Sequence, residues 1–338
     1  MKKLILIAVL LGTTIALQAQ ADQDGALHET AKAFMRSGDY DNAILVLNRA
    51  ITKNPNNLDM QKDLLFASYL KRDFARAKEV GEGLVKRPEA DVQMFHMLGL
   101  TYKAIADYKE AEKLYKAGLK KFPSEGILYS EYGEMLAEKN PDEAIKLFEK
   151  GLEADVNHSA NYYYVAKKYA QNGETLWSIL YSEIFLNLES FTPKSTEIKN
   201  VLLNQYKQFF LKSSNTSTAT KNKNEFANAV SEILSAQQAQ AAFGITPETL
   251  TAIRTRFVLD WFNKYAEKYP FRLFEHQRQL LQEGLFDSYN QWMFGPAANL
   301  AAYQLWQKYH TQDYDNYMTF ARGRVFKIPA DQQYKTFN

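Results

Sequence analysis

The side chains that most often do chemistry are sparse in this chain and poorly grouped. Cysteine is absent, which removes thiol nucleophiles, disulfides, Cys-based zinc sites and an acylated cysteine anchor. The five histidines, His28, His96, His158, His276 and His310, stand singly, and no HExxH, GxSxG or glycine-rich phosphate loop occurs. Each histidine reads as a solvated or core residue. Glu275 and His276 are neighbours, but consecutive side chains on a helix point about 100° apart and do not converge on one metal. Asp313 and Asp315 form a carboxylate pair of the kind any polar segment carries. No catalytic residue, no cofactor-binding residue and no metal ligand emerges, so no cofactor is expected. The reading is not an enzyme; a hydrolase without a recognisable motif is the catalytic alternative.

What recurs instead is a spacing. In "GLTYKAIADYKEAEKLYKAGLKKFPSE", residues 99–125, small residues at Gly99, Ala111 and Gly118 alternate with Tyr102, Tyr108 and Tyr115, and Pro123 closes the stretch. Ala43, Ala77 and Ala111 fall 34 residues apart, as do Asp39, Asp73 and Asp107, and Tyr40, Phe74 and Tyr108. Gly99 and Gly133 are also 34 apart, and Ala144 follows Ala111 at 33. Two antiparallel helices pack closely only where a small side chain lets their axes approach and larger ones fill the gaps above and below. Proline then ends the unit. Such a hairpin buries too little alone and must stack on the next.

These residues resemble the tetratricopeptide repeat family. The third repeat, residues 92–125, carries the pattern through Leu98, Gly99, Tyr102, Ala111, Tyr115 and Pro123, and the first, 24–57, through Ala31, Phe34, Gly38, Tyr40, Ala43, Ala50 and Pro55. The second, 58–91, is degenerate, with Pro88 one residue early. The fourth, 126–158, keeps Gly133, Ala144 and Phe148 but loses one residue at "EKNPDEA". A fifth, from 159 to about 190, has Ser178 where alanine is usual. The expected fold is all-α: a helix–turn–helix solenoid of about five repeats over residues 24–190, followed by an aromatic-rich helical C-terminal domain over 194–338.

In such arrays the first helix of each hairpin lines a concave face. The resemblance therefore implies a peptide-binding groove that takes His28, Lys32, Met35 and Arg36 from the first repeat and Lys62, Phe66, Tyr69 and Leu70 from the second. His96, Leu100 and Lys103 come from the third, Ser130, Glu134 and Glu138 from the fourth, and Tyr163 and Lys167 from the fifth. It would run from basic with aromatics to acidic and suit an extended peptide with acidic residues near one end. The alternative is a helix face that is simply solvated. The family's carboxylate clamp needs asparagines, and Glu29, Asp63, Met97 and Glu131 stand there instead, so that mode is not expected.

The N-terminus sets the expected location. Lys2 and Lys3 precede an uncharged apolar run over residues 4–17 and a small-residue site, Ala19-Gln20-Ala21, the layout of a signal peptide over residues 1–21. At about 1.5 Å per residue that run reaches about 21 Å, short of the roughly 30 Å hydrocarbon core. Removing it takes two lysines from the 41 basic and 39 acidic residues and leaves 39 of each. A neutral chain has no global field to draw it to nucleic acid or anionic lipid. The expectation is an exported protein, periplasmic, outer-membrane-associated or secreted, with no integral membrane segment after signal removal and a protein or peptide partner in the envelope.

Beyond "SFTPKS" the period is lost. Residues 196–212 read as a helix, 212–224 as a polar, flexible loop, and Pro247 as the start of a long helix carrying Phe257, Trp261 and Tyr265. Gly284 and the pair Gly295-Pro296 are expected to divide the rest of the chain into short helices. The many rings of this tail, Trp292 and Trp306 among them, read as a core; a flat aromatic platform for glycans, with Trp261, Trp292 and Trp306 exposed, is the alternative.

Overall fold

A computed structural model describes residues 25–215 and 224–335, and every regular element among them is an α-helix. The expected signal peptide, and most of the polar loop, lie outside the described residues. The chain divides into two compact units, residues 1–123 and 124–338.

The first unit is three helical hairpins: α1 (25–36) with α2 (Tyr40–Lys53), α3 (Leu58–Leu70) with α4 (Phe74–Val85), and α5 (Val92–Ala104) with α6 (Tyr108–Lys121). The spaced residues have identifiable jobs. Ala43, Ala77 and Ala111 are fully buried where the second helix of each hairpin meets its neighbours. Asp39 and Asp73 cap those second helices, accepting from the backbone N–H of Asn42 and Arg76. Asp107 holds the same N-cap place but spends its carboxylate on Lys78, 3.5 Å away. The residue before each cap is left-handed: Gly38 at φ 79°, Arg72 at 64° and Ala106 at 57°. Only the first of these carries the residue that suits the conformation. At Gly99 a Cβ would lie 2.5 Å from the Tyr115 hydroxyl, so the close approach inferred from the sequence is real.

The second unit begins with the fourth and fifth hairpins, α7 (Gly126–Leu136) with α8 (Pro141–Ala154) and α9 (Ser159–Asn172) with α10 (Thr175–Leu188). The residue missing from "EKNPDEA" is missing from the turn: Asn140 caps α8 directly and no left-handed residue precedes it, whereas Gly173 at φ 79° restores the usual turn in the fifth. Ser178 serves as an alanine whose hydroxyl donates to the Ala166 carbonyl at 2.8 Å. Next come α11 (Pro193–Asn215), α12 (Glu225–Ser235), the short α13 (Gln238–Ala241), α14 (Pro247–Lys264), α15 (Arg272–Gln282), α16 (Phe286–Ala298), α17 (Leu300–Tyr309) and α18 (Thr311–Gly323). One core joins repeats four and five to these helices: Trp177 stacks on Phe226, which meets Trp261, Phe271 and Phe274. The sequence boundary near residue 190 thus falls inside this unit.

Two sequence expectations are corrected here. The helix expected over 196–212 starts at Pro193 and runs on to Asn215. Gly295-Pro296 does not divide a helix, because α16 continues to Ala298 with Pro296 in its last turn. There the missing N–H costs one bond, to the Trp292 carbonyl, and the fixed φ suits the helix. Beyond α18 the chain is irregular, with a turn at residues 330–331, and Asn157 bonds both backbone groups of Ile328, accepting from its N–H at 2.8 Å and donating to its carbonyl at 3.1 Å. Tyr334 stacks on Phe226 with centroids 4.2 Å apart.

Candidate functional site

On the first helices of unit one, the residues drawn from the sequence recur at i, i+4 and i+7 or i+8, one helical face. Part of that face is committed to the scaffold. His28 Nε2 lies 2.6 Å from Asp63 Oδ2, tying α1 to α3. The Lys62 ammonium sits 3.0 Å from Asp59 and 3.2 Å from Asp91, so its charge is neutralised within the unit. Lys32 pairs with Glu29 at 3.2 Å on the surface, and Arg36 is exposed. Tyr69 packs on Phe74 at 5.8 Å, while His96 and Lys103 are half-buried.

Phe66 and Leu70 differ from the rest of α3. Met60, Leu64, Leu65 and Ala67 are buried, whereas Phe66 is 41% and Leu70 36% exposed. They stand four residues apart, where helical side chains adjoin. The open face of α3 is therefore apolar in its C-terminal half, beyond the Lys62–Asp59 pair.

In the second unit the sequence assignment holds less well. Ser130 is buried, its hydroxyl donating to the Ile127 carbonyl and lying 2.9 Å from His158 Nε2. Tyr163 is buried as well, with its hydroxyl bonded to Glu197 on α11, and Lys167 pairs with the same carboxylate at 2.6 Å. For Tyr163 and Lys167 the physical reason is α11, which packs across α9 and α10, whereas Ser130 on α7 is covered by the fifth hairpin, beside His158. Glu138 stays exposed, and so does Glu134, although it accepts the Tyr164 hydroxyl. Beside them a hollow of about 230 Å³ opens between Ile145, Phe148, Tyr164 and Lys168.

The sequence did not signal the polar knot in this unit's core. Glu183 and Arg254, each side chain 2% exposed, meet at 2.6 Å. Glu183 also accepts Gln277 Nε2 at 2.6 Å and the Tyr206 hydroxyl at 2.7 Å, while Arg254 donates to Asn290. Nearby, His276 is fully buried among Tyr289, Phe320 and Phe326. Burial first, then the Arg324, Arg272 and Arg254 charges, push its pKa down to about 2, so the imidazole is neutral. The cavity beside Glu183 measures about 20 Å³, room for no more than a water or two. A substrate does not fit there, and the acid, base and guanidinium act as a structural fastening. The one readable sign was Glu183 itself, a lone acid in the otherwise apolar run of α10, because a helix buried on all sides must pair any charge it carries.

Lys199 is also buried, 3.8 Å from the centre of the Trp292 ring, and burial lowers its pKa to about 7. Among the tryptophans, Trp177, Trp261 and Trp292 are core residues and Trp306 alone is partly open. That corrects the platform built on Trp261 and Trp292: their rings are worth more as core. No group of His, Asp or Glu among the described residues could hold a metal ion. No described helix is long and apolar enough to cross a membrane.

The sequence matches the tetratricopeptide repeat family over residues 17–91 and again over 96–159. No curated protein matches the chain. Among solved structures, a thermophilic repeat protein of Thermus thermophilus is 17% identical, covering 53% of this chain and 99% of that one at a TM-score of 0.43. PilF of Pseudomonas aeruginosa is 15% identical over 56% of this chain and 86% of that one, at 0.48. YrrB, described as having an unusual peptide-binding site, is 15% identical over 54% and 94%, at 0.38.

Proposed function

The chain carries tetratricopeptide repeats, and from that premise we propose that it is a non-catalytic scaffold of the bacterial cell envelope that binds a protein partner through the first helices of its repeats. Repeats of this family are in general protein-interaction scaffolds. The observation that carries the reading is the Phe66–Leu70 pair, two adjoining apolar side chains left exposed on a helix that buries Met60, Leu64 and Leu65. On α1 Arg36 is exposed, and Lys32 is in a surface pair with Glu29 that an anionic partner exchanges at little cost. The occupant is a peptide segment with apolar side chains for Phe66 and Leu70 and carboxylates for the basic end.

The location rests on residues 1–21, whose charged start, apolar run and small-residue site are those of a cleaved export signal. On this reading the chain is periplasmic, held at the outer membrane or secreted. Mass spectrometry of the protein from cells tests this half: a mature N-terminus near Ala19 or Ala21 supports it, and an intact Met1 in a cytosolic fraction overturns it. The binding half is tested by crosslinking capture from envelope extract. Wild type should recover a discrete partner, and the Phe66→Ala/Leu70→Ala and Lys32→Glu/Arg36→Glu variants should lose it. Equal recovery by both variants would remove the first helices from the account.

A further inference from the structure

A second surface of the molecule has the make-up of a ligand site. Between the start of α14 and the α16–α17 corner lies a cleft of about 290 Å³, at the lower end of the size range of small-molecule sites. Its lining combines rings with polar groups. Trp306 stacks on His310 with centroids 5.1 Å apart and lies 6.4 Å from Tyr303, nearly parallel to both. Tyr303 is buried, while Trp306 is partly open and lines the cleft. The polar groups stand among Ile245, Pro247 and Ala302. The Glu248 carboxylate is held by Gln291 Nε2 at 2.9 Å, and Gln291, itself 4% exposed, is anchored in the core of the unit. Asn299 caps α17 through its side-chain oxygen, which accepts from the Ala302 N–H at 3.0 Å and leaves its amide nitrogen to donate. Lys207 completes the rim.

We propose that this cleft binds one ring of a neutral saccharide. A pyranose has an apolar C–H face and a belt of hydroxyls that both donate and accept. The part of the Trp306 indole left open matches the first, and a fixed carboxylate with amide and ammonium donors matches the second. At about 290 Å³ the cleft is too small to enclose an extended peptide, and the Glu248 carboxylate opposes an anionic ligand. The site is pre-formed: the Gln291 bond fixes Glu248, and the neighbouring rings fix Trp306. The proposal stands independently of the repeat face, because every residue it uses lies in unit two.

The probe is a panel of neutral saccharides, namely glucose, galactose, mannose, N-acetylglucosamine and their disaccharides, titrated calorimetrically to millimolar concentration against the mature full-length chain. At least one should bind. Trp306→Ala should weaken it about tenfold or more, and Glu248→Gln by about fivefold, from loss of stacking and of a charge-assisted bond. A bound sugar should also protect the open tryptophan of the wild type from acrylamide quenching and give no protection in Trp306→Ala. Because Trp306 is partly buried, its variant is checked for a wild-type circular dichroism spectrum; Glu248→Gln, at an exposed position, serves if that check fails. Absence of binding across the panel overturns the proposal. So does binding that survives Glu248→Gln and Trp306→Ala unchanged.

Discussion

Cutting the ion pair between Glu183 and Arg254 should cost more than any other polar substitution in the second unit. The pair is 2.6 Å long with both side chains 2% exposed, so neither charge can turn to water when its partner goes. Arg254→Met leaves a buried carboxylate with only Gln277 and Tyr206 as neutral donors. Glu183→Met leaves a guanidinium whose remaining supports are Asn290 and the Phe286, Tyr289 and Phe294 rings, 5.2–5.3 Å away. Each should lower stability by about 3–5 kcal/mol, the usual cost of stranding a buried charge. The double variant strands no charge. It loses only the bonds to Gln277, Tyr206 and Asn290, of order 1–3 kcal/mol in all, far below the sum of the singles. Urea unfolding followed by tryptophan emission is the assay, because Trp177, Trp261, Trp292 and Trp306 are all in unit two and report it alone. With a urea slope of about 2–3 kcal/mol/M, each single should move the midpoint by about 1–2.5 M. Singles costing under about 1 kcal/mol, or a double equal to their sum, would refute the fastening role.

Two further predictions rest on local geometry. Ala106 and Arg72 hold left-handed turn positions that Gly38 fills in the first repeat; Ala106→Gly should stabilise unit one by about 0.5–1 kcal/mol, the strain relieved less the entropy glycine adds, and Gly38→Ala should destabilise it. Thermal melts of the three proteins check the order, and an Ala106→Gly variant less stable than wild type contradicts it. Lys199 has its folded pKa lowered by burial to about 7, below the roughly 10.4 of an unfolded lysine, so the unfolded chain binds the extra proton between those values and stability rises with pH across them. The Trp292 ring at 3.8 Å offsets part of the penalty. Lys199→Met should therefore gain about 2–4 kcal/mol near pH 6, a gain that fades towards about pH 10. Urea midpoints at three pH values test it, and a gain independent of pH would show that the amine is not the cause.

The repeat was legible because its residues answer to local rules. Ala43, Ala77, Ala111 and Ala144 are buried as their spacing requires, and Asp39 and Asp73 cap helices as their recurrence implies. What was hidden depends on distant partners. Glu183 and Arg254 are 71 residues apart, and no periodicity links them. The burial of Tyr163 was missed because it depends on α11, a helix outside the repeat pattern that packs on α9, and that of Ser130 because it depends on His158 of the next hairpin. Pro296 misled for a smaller reason: proline stops a helix in its interior but is tolerated in a last turn. The cleft at Trp306 was visible only as one ring among many, and what singles it out is incomplete burial, which sequence does not encode locally.

Whether the first helices of unit one bind a partner is decided most directly by hydrogen–deuterium exchange, with and without the protein that crosslinking capture recovers. Slowed exchange should concentrate in α1, α3 and α5 around Arg36, Phe66 and Leu70, and the Phe66→Ala/Leu70→Ala variant should show none. Protection confined to α2, α4 and α6, or found only in the second unit, would contradict the account.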